Sequence, residues 1–186
     1  MSSPSAPRLR ILDQTDANQP HTPEEAFDQY ARYIGAVALR LLGRTEEVDD
    51  IVQETFIELV TAWHTIEDPA RLKGWLATVA TRIVSKRLKR RRFRSLFWVT
   101  EEPNYEVIVS EQASPEERAL IGQLYRELDR LPVDLRLAWT LRHVEGERLE
   151  AVAEIAGCSL ATVKRRIRIA HERLQRRLGG YAGVPR

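Results

Sequence analysis

Between Ser159 and Leu178 this 186-residue chain carries seven lysines and arginines (Lys164, Arg165, Arg166, Arg168, Arg173, Arg176 and Arg177) against one acid, Glu172. Ammonium and guanidinium groups at this density are suited to neutralising phosphate, and a guanidinium can also donate two hydrogen bonds to one guanine edge. Leu160, Val163, Ile167, Ala170 and Leu174 recur at helical spacing. The opposite, outward face then carries Ala161, Lys164, Arg165, Arg168 and Glu172. Side chains on that face are placed to enter a major groove, whereas Arg166 is expected to pack against or pair with the rest of its domain.

A basic helical face is often no more than a solvated one, so the elements that would position it matter more than the charge. Just upstream, Leu149, Val152, Ala153 and Ala156 repeat at helical spacing, Gly157 tolerates a left-handed turn, and Ser159 is placed to cap the next helix. Short helix, glycine turn and capped basic helix together predict a helix-turn-helix. Its domain opens at the cap Ser114-Pro115-Glu116-Glu117, continues through Leu120, Ile121, Leu124, Tyr125 and Leu128, and starts again after Leu131-Pro132 with Leu135, Leu137, Ala138, Leu141 and Val144, stopping near Gly146.

The first half of the chain has a different charge order. Residues 1–22 are rich in Ser, Pro, Asn and Gln without a period and are expected to be a disordered lead-in ending at the cap Thr22-Pro23-Glu24-Glu25. A first helix follows from Phe27 to Leu42, stopped by Gly43. A second begins after Thr45, with Val48, Ile51, Val52, Thr55, Phe56, Leu59, Val60 and Trp63 as its inward stripe. From Glu46 to Glu58 there are six acids and no base. Beyond Pro69 a third helix uses Leu72, Trp75, Leu76, Val79, Ile83 and Leu88, and from Arg82 to Arg94 it carries eight bases and no acid. Helical period is lost from 95 to about 114, where Leu96, Phe97, Trp98, Tyr105 and Val107 are more apolar than a solvated tether needs. Part of that linker is therefore expected to dock.

The expected architecture is all-α: two small helical domains, 23–94 and 115–180, joined by a partly apolar linker at 95–114, with a tail at 181–186. The net charge of +2 conceals this segregation of sign, which suits a protein with two different polyelectrolyte partners. The single Cys158 cannot close an intramolecular disulfide, and no signal-like segment or run of about 20 apolar residues is present. A soluble, cytoplasmic protein without membrane insertion is expected. The four histidines are scattered, the acids share one outward face, and no glycine-rich phosphate cradle occurs. Neither a catalytic site, nor a metal site, nor a cofactor is expected.

Three motifs in order resemble the extracytoplasmic-function sigma factors of the sigma-70 family. Asp49-Asp50-Ile51-Val52-Gln53-Glu54-Thr55-Phe56 is similar to that family's acidic polymerase-binding helix. Trp75-Leu76-Ala77-Thr78-Val79-Ala80 with its basic tail is similar to the promoter-melting helix. Leu131-Pro132, Leu141-Arg142-His143-Val144-Glu145-Gly146, Ala153-Glu154-Ile155-Ala156 and Ser159-Leu160-Ala161-Thr162-Val163-Lys164 resemble the domain that reads the minus-35 element. The resemblance implies a subunit that binds core RNA polymerase, at the clamp of the largest subunit and the flap of the second-largest, and directs initiation at chosen promoters. It assigns polymerase binding to Asp49, Asp50, Gln53, Glu54 and Phe56, although Phe56 also lies on the apolar stripe. It assigns minus-10 DNA to His64, Asp68, Arg71 and Lys73 in and after the loop, and to Arg82, Lys86, Arg87, Lys89 and Arg90 on the helix. It assigns the minus-35 element to Lys164, Arg165 and Arg168, with Arg148 and Thr162 on phosphate. The chain departs from the family pattern at Thr81-Arg82, where an Arg-Asn pair is common. An anti-sigma factor is implied as a further partner. The alternative reading is a helix-turn-helix regulator that is not a polymerase subunit, which leaves the acidic helix followed by the basic one without a use.

Overall fold

The computed structural model describes residues 19–95, 105–108 and 113–178. Among these residues every regular element is helical: α1 (Pro23–Leu42), α2 (Val48–Ala62), α3 (Leu72–Ser95), α4 (Pro115–Arg130), α5 (Val133–His143), α6 (Leu149–Ile155) and α7 (Leu160–Leu178), with single 3-10 turns at Trp63–Thr65, Pro69–Arg71 and Tyr105–Ile108. The all-α class expected from periodicity is the one observed.

The helix ends follow local chemistry. The Thr22 hydroxyl accepts from the Glu25 amide at 3.2 Å and Pro23 opens α1, where its missing amide costs nothing. Ser114 and Glu117 close a reciprocal capping box on α4. α2 begins at Val48, three residues after Thr45, because Glu46 and Glu47 belong to the turn and the Val48 amide donates to the Thr45 carbonyl. Ser159 caps α7 as expected, accepting from the Thr162 amide at 3.2 Å.

α1, α2 and α3 pack around Ile34, Val37, Leu41, Ile51, Leu59, Leu72 and Leu76, all fully buried or nearly so. Burying a Leu or Ile side chain stabilises by about 1.5–3 kcal/mol. The same apolar cluster runs on into the second half of the chain through Val133, Leu137, Ala138, Leu141, Val152 and Val163. A second cluster joins Tyr125, Leu128, Leu131, Trp139, Ala170, Leu174 and Leu178 to Tyr105. Tyr105 belongs to the linker and is buried, so this part of it docks, with its hydroxyl donating to Asp129. Phe97, Trp98 and residues 1–18 of the lead-in expected over 1–22 lie outside the described residues; of the remaining four, Pro20 is buried.

The two halves meet at the C-terminus of α1. Gly43 caps that helix at φ 75°, and a Cβ there would lie 2.9 Å from Tyr125, 3.2 Å from Arg136 and 3.2 Å from Tyr105. Glycine is thus required twice, for the left-handed turn and for the close approach. The α1 carbonyls left without helical partners are taken up from across the seam: Tyr125 Oη donates to Arg40 O at 2.9 Å, and Arg136 donates from Nε to Leu41 O at 3.2 Å and from Nη2 to Leu42 O at 2.8 Å. Arg136 also pairs with Asp129, and Arg40 forms a two-point pair with Glu145 at 2.5 and 2.7 Å. Burial pushes the Arg136 guanidinium down to about 10, with the Arg91 charge acting the same way.

Candidate functional site: the charged faces of α2, α3 and α7

The basic face of α7 is free. Lys164 and Arg165 are exposed with no ion pair among the described residues, and Arg168 reaches only its own helix, at Glu172, 2.8 Å away. Arg166 turns inward, donating to Cys158 Sγ at 3.4 Å and pairing with Asp134 at 3.2 Å, so it ties the start of α7 to α5. The Thr162 hydroxyl sits 2.9 Å from that of Ser159 in the first turn of α7, where backbone amides also point outward. Arg148 is exposed at the residue preceding α6. Three guanidinium or ammonium groups share one helical face mounted on a buried Val163, Ala170 and Leu174 spine, an arrangement whose donors can hydrogen-bond to phosphates and base edges.

The acidic face of α2 is outward as well. Asp49, Asp50, Gln53 and Glu54 are exposed, whereas Phe56 is only 7% exposed and packs edge-on against Phe27 with ring centroids 4.9 Å apart. Phe56 is therefore a core residue whose rim closes the floor of a groove. That groove, about 480 Å³, is lined by Pro23, Glu24, Phe27, Gln53, Phe56, Ile57, Val60 and Thr61. Phe27, Ile57 and Val60 are 44%, 66% and 58% exposed, an apolar strip beside the acids. Val60 was expected inward; one residue past the buried Leu59 it lies about 100° further round the helix and faces out. Ile57 carried a usable signal in the sequence, an isolated aliphatic residue on the polar face.

The basic run of α3 is spent differently. Arg82 pairs with Glu58; Arg87 lies 3.1 Å from Glu47 and 3.5 Å from Asp50 and also pairs with Glu54; Lys89 reaches Asp134 at 3.3 Å. Burial opposes the Arg87 charge, but its hydrogen bonds with Glu47 and Glu54 win and raise its pKa above the ordinary arginine value. Arg91 pairs with Asp129 at 2.9 Å and Arg92 donates to Leu131 O at 2.6 Å, so these two hold the seam. Lys86 and Arg90 remain exposed without an ion pair among the described residues. In the loop before α3, His64 and Arg71 are exposed, and Asp68 caps the 3-10 turn by accepting from the Ala70 amide at 3.0 Å. Lys73 is drawn away, over the Tyr33 ring at 4.9 Å. His64, Asp68 and Arg71 thus share one exposed loop, and Lys73 faces α1.

No group of three metal-ligating side chains occurs among the described residues, and none of their helices is long and apolar enough to cross a membrane.

The charge geometry has a counterpart in known proteins. The family patterns described as Sigma-70 region 2 and Sigma-70, region 4 match residues 26–94 and 121–174. The ECF RNA polymerase sigma-E factor of Escherichia coli K12 is 31% identical over 71% of this chain and 74% of its own. The ECF RNA polymerase sigma factor SigE of Mycolicibacterium smegmatis is 28% identical over 82% of this chain, which spans 60% of that relative's length. In structure, the sigma factor RpoE of Bartonella quintana, solved with the anti-sigma factor NepR, superposes with a TM-score of 0.65 at 22% identity, covering 84% of this chain and 96% of that one, and so shares the fold. The chain belongs to the sigma-70 family, in its extracytoplasmic-function group.

Proposed function

We propose that this chain binds core RNA polymerase and selects the promoter at which it starts, with the labour divided among the three charged faces. The observation that carries this reading is one chain presenting two outward surfaces of opposite character: the acidic α2 face with its apolar groove, and the unpaired cations of α7. Asp49, Asp50, Gln53 and Glu54 bind the clamp of the largest subunit, and Phe27, Ile57 and Val60 supply the buried centre that such an interface needs. Phe56 shapes that surface from below. Lys164, Arg165 and Arg168 read the minus-35 element, with Arg148 and Thr162 on phosphate, and the α4–α7 domain is held near the start site by the flap of the second-largest subunit.

His64, Asp68 and Arg71 meet the minus-10 strand, while Lys86 and Arg90 hold its phosphates. Arg82, Arg87 and Lys89 join them once their acidic partners let go. Lys73 supports the loop from the α1 side. Strand opening is driven by capture of an unstacked base, and the chemistry of RNA synthesis stays with the polymerase. The domains run over 23–94 and 115–180, the chain works in the cytoplasm, and an anti-sigma factor silences it by covering these faces.

The described conformation also has to open. Lys86 and Lys89 of α3 line one cleft with Glu154, Gly157 and Arg166 of the helix-turn-helix. Elements numbered minus-10 and minus-35 lie about 25 base pairs apart, roughly 85 Å along B-form DNA. A chain in which α3 packs directly against α5 and α6 of the second half cannot span that distance. Opening gives up the polar contacts of the seam, which water can replace, and also the apolar cluster that the two halves share, which the polymerase and DNA contacts have to offset.

Run-off transcription with purified bacterial core polymerase on a promoter library tests the proposal. Transcripts sharing a motif pair are expected with the wild-type chain and not with Asp50→Arg/Gln53→Ala. Binding of DNA alone, with an effect on transcription only when another sigma factor is supplied, would replace it with the regulator reading.

A further inference from the structure

Arg87 stands between the two surfaces that the proposed function assigns to different partners. Its side chain lies between α2 and α3 at 18% exposure, while those of Asp50 and Glu54, on the solvent side of the same contact, are 65% and 53% exposed. Nη1 faces Glu47 at 3.1 Å and Asp50 at 3.5 Å, and Nη2 donates to Glu54. The groove holding Arg87 is lined by Lys86, Arg90 and Arg94 together with Glu47 and Glu54. The acids that would meet polymerase and the cations that would meet DNA therefore share one guanidinium at their boundary.

We infer that Arg87 couples polymerase binding to promoter binding: in the free chain it neutralises Asp50 and Glu54, and when a cationic polymerase surface takes those carboxylates it is released to a DNA phosphate. The inference rests on the proposed polymerase and promoter roles. A cation arriving at Asp50 and Glu54 competes with Arg87 from the exposed side. A phosphate arriving at Lys86 and Arg90 attracts Arg87 away from the acids within the groove they share. Each event removes part of what the other must break, so the two binding free energies are positively linked, and by reciprocity equally in both directions. The same arrangement keeps the free chain from presenting either charge fully.

The sign pattern of one variant separates this role from simpler ones. With full-length labelled protein, core polymerase affinity is measured for wild type, Arg87→Gln and Arg87→Lys at several KCl concentrations. The affinity of each holoenzyme for the promoter found by run-off is measured over the same range. Arg87→Gln is expected to bind core about 3- to 10-fold more tightly, because its acids are already free. It is expected to bind promoter more weakly, with a log–log salt slope shallower by about 0.9, one phosphate contact. Arg87→Lys keeps the charge and restores the slope. A residue that only holds α2 to α3 would weaken both affinities when removed, and a plain DNA contact would leave core affinity unchanged; either result overturns the inference. Wild-type chain that fails to bind core at all overturns the proposed function and this coupling with it, whereas normal wild-type binding with both affinities unmoved in Arg87→Gln overturns the coupling alone.

Discussion

The basic run of α3 and the basic face of α7 have nearly the same composition and opposite uses. On α3, Arg82, Arg87, Lys89 and Arg91 each meet a carboxylate of another helix, and Arg92 meets a backbone carbonyl. On α7, Lys164 and Arg165 meet nothing among the described residues. The reason lies in what each helix packs against. α3 is central, flanked by the acidic α2 and by Asp129 and Asp134 of the second half, whereas the outer face of α7 has no neighbour among the described residues. Charge density in a sequence therefore locates cations without saying whether they hold the protein together or face a partner.

Four experiments bear on that contrast, beginning with the cation buried deepest. Arg136→Ala removes one of the partners of Asp129, which keeps Arg91 and Tyr105, and leaves Leu41 O and Leu42 O unpaired, so urea unfolding is expected to show a loss of about 2–5 kcal/mol. Little loss would mean that the seam opens without cost and holds nothing. At the free end of the contrast, Lys164→Ala/Arg165→Ala is expected to cut initiation at the protein's own promoter by about 30-fold or more, since each good base contact is worth about 1–3 kcal/mol. Its melting temperature should stay at the wild-type value, and a drop would show that these cations also support the fold.

A smaller effect is expected at the rim of the seam. Arg40→Glu sets like charges against Glu145, and X-ray scattering should register a larger radius of gyration, which Arg40→Glu/Glu145→Arg returns toward wild type. The mildest is a pH effect confined to the second half, where His143 stacks between Trp139 and His171 at 4.9 and 5.9 Å. Burial, then the neighbouring His171 and Arg142, hold the His143 pKa below its ordinary 6.5. The unfolded chain binds this proton more readily than the folded one, so its contribution is present above about pH 6.5 and is lost as pH falls below that. Thermal melts from pH 7.5 to 5.5 should show the decline, and His143→Gln should flatten it.

Much of the site was legible before folding was known. The outward set Lys164, Arg165 and Arg168 and the inward turn of Arg166 follow from the 3.6-residue period, and the caps at Thr22, Ser114 and Ser159 from local hydrogen bonding. Val60 was read as part of the inward stripe, because an aliphatic side chain on a helix is ordinarily core, and Ile57, though outside that stripe, was not assigned to a surface. The pairing of Arg87 with Glu47, Asp50 and Glu54 was equally hidden, since the partners lie 33 to 40 residues away.

By itself the sequence determined the helices, their ends, the segregation of acid from base and the motif order that marks the family, because periodicity, capping and composition act over a few residues. Only the tertiary structure decided which cations are consumed internally, that Phe56 is buried beneath an exposed apolar groove, and that α3 packs against the helix-turn-helix half. Those outcomes depend on which helix faces come together, and on burial that makes a charge stay where it has a partner and leaves it outward where it has none.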